Sequence, residues 1–232
     1  MREVEVALRE FPSRQVLAET LAEKVVSVLA EALSARGKAV MAVSGGTTPA
    51  LFFRTLSDRD LDWSRVTVTL VDERFVDEAS PRSNARLAKE NLLRGRAAAA
   101  RFAGLYRDTA DVEAAAELAD ETARALGLPF DVVVLGMGGD GHTASFFPDA
   151  PTLADLLAPV NQTLVAPVHA PSGGEPRLTL TMPALAGARF LALHIEGEAK
   201  RAVLASALKG EDLPIRAVLE HAERPVEVFW AP

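Results

Sequence analysis

The stretch KAVMAVSGGTTP, residues 38–49, joins a short apolar run of strand length to a glycine-rich turn, with a short helix opening near Pro49. Two further segments follow the same plan. VTVTLVD at 66–72 is an apolar run that leads into a polar loop, and FDVVVLG at 130–136 is a third buried strand followed by glycines. Helical patterns lie between them. Residues 13–36 carry Val16, Leu17, Leu21, Val25, Val28, Leu29 and Leu33 on one face, with Ser13 placed to cap the start and Gly37 to end it. Ser83 can cap the helix NARLAKENLL, and DVEAAAELADETARALG closes at Gly127. TLVAPVH, RLTLTM and RFLALHI are further strand candidates, EAKRAVLASALKG is a helix and VEVFW a last strand. Apolar strands alternating with helices predict an α/β fold, a mostly parallel open sheet covered by helices on both faces. With no internal repeat and no low-complexity linker, residues 1–232 read as a single domain.

Composition narrows the function. Half the residues are hydrophobic and a quarter charged, as in an ordinary globular protein. No run of about 18 apolar residues is present, and the N-terminal MREVEVALREFPSR has alternating charges and no apolar signal core, so the expected location is the cytoplasm, with no membrane partner. The absence of cysteine removes thiolate nucleophiles and cysteine-based metal sites. A net charge of −7 disfavours a nucleic-acid partner and requires that an anionic substrate meet locally arranged cations. No well-spaced trio of metal-ligating side chains stands out, so no metal and no cofactor are expected.

Chemistry-bearing residues gather in four segments, each following an apolar strand: SGGTTP (44–49), DERFVDEASPRSN (72–84), GMGGDGHTAS (136–145) and EGEAK (196–200). In an open parallel sheet the carboxyl ends of the strands share one edge, where ligands bind, so the four can converge. Ser44, Gly45, Gly46, Thr47 and Thr48 form a candidate phosphate cradle. Glycines admit an anion close to the backbone, hydroxyls donate, and the following helix directs its free N–H groups there. The same segment also reads as a tight turn with a threonine cap. G-x-G-x-x-G at 136–141 matches a dinucleotide motif in form, but the acidic residue expected about 20 residues on is missing. His142 beside Asp140 is a candidate general base; a free imidazole, with a pKa of about 6.5, suits proton removal near neutrality. His169, His194 and His221 read as structural. Asp72 is a candidate for contact with a hydroxyl or proton, and Arg74 for contact with an anion. Arg177 and Lys200 are individually weak candidates, and without a phosphate beside it Lys200 reads more simply as a solvent-exposed lysine.

At these residues the chain resembles the 6-phosphogluconolactonase family. The matching segments are AVSGGTTP, VDERFV with the downstream PRSN, GMGGDGHTASFFP and RLTLTMPAL, spanning about residues 40 to 190. The resemblance implies a Rossmann-like fold related to the glucosamine-6-phosphate deaminases. It also implies hydrolysis of 6-phosphoglucono-1,5-lactone to 6-phosphogluconate, the second step of the oxidative pentose phosphate pathway. His142 would be the general base, with Asp140 and Asp72 as further catalytic candidates. The 44–48 loop, Arg74, Asn84, Gly138, Gly141, Arg177 and Lys200 would bind the substrate. The expected state is a monomer or weak dimer. A deaminase-type isomerase is the alternative, but the segment after DGH would then end in Asn-Glu-Pro, and Phe147 stands where that glutamate belongs. A non-catalytic sugar-phosphate sensor is the third reading.

Overall fold

Ser13 accepts a hydrogen bond from the Val16 amide and starts α1 (Arg14–Arg36), which ends at Gly37 with φ 75°. These are the cap positions read from the sequence. In the computed structural model, residues 6–232 are described, so the first part of the charged N-terminal segment lies outside the described residues.

The strands in chain order are β1 (Val6–Glu10), β2 (Ala39–Val43), β3 (Val66–Leu70), β4 (Asp72–Arg74), β5 (Arg101–Ala103), β6 (Val132–Leu135), β7 (Val165–Val168), β8 (Arg177–Leu180), β9 (Phe190–Glu196) and β10 (Val226–Ala231). Seven form one sheet in the order β1-β10-β9-β6-β2-β3-β5. Every neighbouring pair in it is parallel. Each residue of the central strands β2 and β6 is buried, which is why both read as unbroken apolar runs. The helices packed around the sheets are α1, α2 (Ala50–Ser57), α3 (Asn84–Asn91), α4 (Val112–Leu126), α5 (Leu153–Leu157), α6 (Met182–Ala186), α7 (Glu198–Leu208) and α8 (Pro214–His221). The fold is the expected α/β domain, and one continuous apolar core runs through it.

Several local expectations need correction. TLVAPVH and RLTLTM do not join the main sheet. As β7 and β8 they pair antiparallel, and β8 pairs antiparallel with β4, making a separate three-stranded sheet. The run VTVTLVD is therefore not one strand. The Val71 amide donates to Val43 O at 2.9 Å in the first sheet, while Val71 O accepts from the Leu180 amide at 2.8 Å in the second. The chain changes sheets at that residue, and residues 72–74 are carried away from the main layer. Val16, placed on the buried face of α1, is exposed. The charged segment VALRE, not read as a strand, forms β1 at the sheet edge, where its side chains are largely exposed.

The topology places a crevice. From β2 the chain moves outward to β3 and β5, then returns to β6 on the other side of β2. The loops leaving β2 and β6 therefore diverge at a topological switch point, where open α/β sheets bind ligands.

Candidate active site

The loop after β2 is shaped by its neighbours. Ser44 Oγ accepts from the Gly136 amide at 3.1 Å, tying the first loop to the one after β6. A Cβ on Gly45 would lie 1.9 Å from Asn84 Oδ1, so only glycine lets the Asn84 amide reach this loop. Gly46 has φ +93°, a left-handed conformation that glycine adopts without strain. Pro49 occupies the N-cap of α2 and not its first turn, and no side chain caps that helix. Its leading amides remain available to an anion, and the helix dipole favours negative charge there. Lys200, in the first turn of α7, donates from Nζ to Thr48 Oγ1 at 3.3 Å. Burial lowers the Lys200 pKa below its ordinary value, opposed by the nearby Glu196 carboxylate.

The second wall comes from β4 and the start of α3, and its organiser is Glu73, which sequence reasoning passed over. This fully buried carboxylate accepts from the amides of Arg74 (2.8 Å), Asn84 (2.8 Å) and Ala85 (2.7 Å) and from Ser83 Oγ (3.1 Å). Burial pushes its pKa up against the lowering effect of the three amides. The arrangement brings Asn84 back against β4. There Asn84 Nδ2 donates to Asp72 O at 2.9 Å, while its Oδ1 accepts from Arg74 Nη1 at 3.1 Å. Asp72 is buried and accepts from Ser145 Oγ at 2.6 Å. Arg177, at the start of β8, lies with Nη1 3.9 Å from Asp72 Oδ2 and donates from Nη2 to Gly173 O at 2.7 Å. Burial lowers the Arg177 pKa, and Asp72 is the largest influence holding it up.

The third wall carries the base candidate. Asp140 Oδ1 accepts from the His142 amide at 3.1 Å and lies 2.5 Å from His142 Nδ1. With Nδ1–H donating to that carboxylate, Nε2 is left as the proton acceptor. A Cβ on Gly138 would meet His142 Cε1 at 2.2 Å, so the imidazole packs directly on the glycine backbone. Thr143 Oγ1 donates to Gly136 O at 2.7 Å. Ala144 has φ 50°, a strained conformation for alanine that costs roughly 1–2 kcal/mol and is held by the bonded residues on either side. The Phe147 ring lies behind the imidazole, with centroids 4.6 Å apart.

One cavity is lined by Ser44 to Thr48, Asp72, Arg74, Asn84, Gly138, His142, Arg177 and Lys200. The structure thus brings together the residues proposed from all four segments. Two do not line it. Asp140 acts on the cavity through His142. Gly141 has φ +77°, a Cβ there would lie 2.9 Å from Leu213 Cβ, and its carbonyl accepts from the Ile215 amide at 3.0 Å.

His194, read as structural from its apolar strand, does line the cavity. Its Nε2 lies 3.2 Å from Glu196 Oε1, and Glu196 is paired with Arg14 at 3.2 Å. Burial pushes the Glu196 pKa up, but His194, Arg14 and Lys200 outweigh it and leave the carboxyl below its ordinary value. The one sequence signal was EGEAK, which contains Glu196 two residues beyond His194. Among the described residues, no three His, Asp or Glu side chains gather in a metal-binding arrangement, and no helix is long and apolar enough to cross a membrane.

Known proteins resemble this chain over nearly its whole length. A family model described as glucosamine-6-phosphate isomerases/6-phosphogluconolactonase matches residues 12–230. A 6-phosphogluconolactonase from Mesorhizobium japonicum is 57% identical over 223 residues, covering 96% of this chain and 94% of that protein. One from Rhizobium meliloti is 52% identical over 225 residues, covering 96% and 97%. The crystal structure of a 6-phosphogluconolactonase from Shewanella baltica superposes with a TM-score of 0.96 at 42% identity, covering 100% of both chains.

Proposed function

Because the chain belongs to the glucosamine-6-phosphate isomerase/6-phosphogluconolactonase family, we propose that it hydrolyses 6-phosphoglucono-1,5-lactone to 6-phosphogluconate, with His142 as general base. The carrying observation is that His142, oriented by Asp140 at 2.5 Å, shares one cavity with the uncapped start of α2 and Lys200. The cavity is electrostatically two-ended. Lys200, Thr48 and the α2 amides form an anion-binding end that suits the phosphate. Arg74 and Arg177, beside Asp72, supply positive charge from the β4 and β8 wall, where it can serve the lactone carbonyl.

In the reaction, His142 Nε2 takes a proton from water as the water oxygen bonds to the carbonyl carbon. The tetrahedral oxyanion is stabilised by a guanidinium of the β4–β8 wall. The bond from that carbon to the ring oxygen then breaks. The ring oxygen receives the proton from His142 and becomes a hydroxyl, leaving the free acid. Asp140 stabilises the transient imidazolium, as a carboxylate orienting a histidine base does elsewhere. The chemistry calls for no redox group or electron sink. Action in the oxidative pentose phosphate pathway, in the cytoplasm, completes the reading.

The relatives reported above are named as lactonases, and Phe147 occupies the position where the deaminase reading needs a carboxylate. The test is the kcat of His142→Asn, corrected for spontaneous lactone opening. Loss of a general base costs about 10²–10⁴ in rate. A folded variant that loses less than about tenfold falls below that range and removes the assignment.

A further inference from the structure

We infer that Phe147 is a positioning residue whose ring sets the placement of His142 and Arg177 relative to one another; this rests on the roles proposed above for those two groups. The imidazole packs against the ring in a tilted arrangement, with centroids 4.6 Å apart and the planes at 34°. The Arg177 guanidinium carbon lies 5.2 Å from the centroid of the same ring. Two polar groups from segments 35 residues apart in sequence therefore rest on one apolar plate that is itself buried.

Both groups need it, because their polar contacts leave them incompletely held. His142 has one side-chain partner, Asp140, which is exposed. Arg177 donates from Nη2 to Gly173 O and lies 3.9 Å from Asp72, but among the described residues its buried Nε has no hydrogen-bond partner. An aromatic face attracts a guanidinium and stacks with an imidazole without offering either an acceptor. It can thus fix both angles without competing with substrate for their protons.

The plate is in turn supported from behind. A Cβ on Gly173 would lie 3.2 Å from Phe147 Cε2, so the 171–173 turn packs against the ring edge. Asp149 accepts from the Ser172 amide at 2.8 Å and from Ser172 Oγ at 2.7 Å, stapling that turn to the segment bearing Phe147. Gly173 O is also the acceptor for Arg177. The turn therefore sets both the ring and one of the cations resting on it. Phe147 has no polar atom, so its effect on the reaction passes through the groups it orients.

The experiment compares Phe147→Leu, Gly173→Ala and His142→Asn for kcat, KM, melting temperature and the competition constant of sulfate. The His142 ring-proton resonances are followed by NMR. A 1 Å misplacement of a reacting group costs about 10²-fold. Phe147→Leu should accordingly lower kcat by about tenfold to a hundredfold, with KM and the sulfate constant within about twofold. The His142 resonances should shift as the ring current is lost. Gly173→Ala removes no contact but presses the ring by a few tenths of an ångström, so it should lower kcat in the same direction by a smaller factor. It carries the test if Phe147→Leu does not fold. A folded Phe147→Leu with kcat within about twofold of wild type overturns the inference, as does an equal loss in kcat and sulfate affinity. An active Phe147→Leu beside an inactive His142→Asn removes only the role of Phe147. An active His142→Asn removes the base assignment and this inference with it.

Discussion

Gly138→Ala tests the site by a single methyl group. The added Cβ would lie 2.2 Å from His142 Cε1, 2.3 Å from Nδ1 and 2.7 Å from Asp140 Oδ1. Carbon–carbon contacts settle at about 3.5–4.0 Å, so the imidazole must retreat by more than about 1 Å. The loop cannot simply turn the methyl aside, because the Gly138 amide donates to His142 O at 2.9 Å. Retreat also stretches the 2.5 Å contact between His142 and Asp140 that sets the tautomer. A displacement of that size costs about 10²-fold in rate, or about 2.7 kcal/mol of transition-state stabilisation. Gly139→Ala is the matched control. The next residue along has open space within 4 Å of its Cβ position, and neither glycine has positive φ. Both variants should melt close to wild type, and only Gly138→Ala should lose kcat when lactone hydrolysis is corrected for spontaneous opening. A well-folded Gly138→Ala with kcat within about threefold of Gly139→Ala would show that the His142 position does not matter to the rate-limiting chemistry, against the cost expected for misplacing a reacting group.

Four more expectations follow from the same geometry. Burial lowers the Lys200 pKa below 10.5, so its charge, present at lower pH, is lost earlier on the alkaline side than that of an exposed lysine. Sulfate, a dianion throughout, should bind less tightly as pH rises through that region, and calorimetric titration of Lys200→Met should show weaker binding without that trend. Glu73→Gln turns an NH₂ group toward the Ala85 amide or the Ser83 hydroxyl, or toward the amides bound by Oε1, and should cost about 1–3 kcal/mol in chemical denaturation at neutral pH. Since burial raises the Glu73 pKa above 4.5, its titration favours the native state below the unfolded value and that contribution is lost as pH rises through the native one. The gap between wild type and Glu73→Gln should therefore widen on acidification; a constant gap would refute the shift. Dialysis against a strong chelator should leave the rate unchanged, whereas a loss restored by one divalent ion would overturn the mechanism. Glucosamine 6-phosphate should yield no ammonia; release at a rate rivalling lactone hydrolysis would promote the deaminase reading.

Local and periodic features were legible in the sequence because their causes are local. The caps at Ser13 and Ser83 act within three residues of themselves. The apolar runs at 39–43 and 132–135 announce strands buried on both faces. A parallel sheet places the carboxyl ends of its strands on one edge, so convergence of the 44–49, 136–145 and 196–200 segments followed from the parallel arrangement, whatever the strand order. What the tertiary structure decided rests on contacts between residues far apart in the chain. An apolar run such as RLTLTM satisfies a parallel or an antiparallel ladder equally well, and only the change of sheet at Val71 puts β8 beside β4. His194 lies in an apolar strand and looks like core, yet it lines the same crevice as Lys200. Gly45 and Asn84 explain each other only once it is seen that a Cβ on Gly45 would lie 1.9 Å from Asn84 Oδ1. Phe147 marks a missing carboxylate in the sequence, and its contact with both His142 and Arg177 exists only in three dimensions. Side-chain pattern determines which face of an element is buried; which residue is met there depends on how separate elements pack, and that packing is a property of the whole chain.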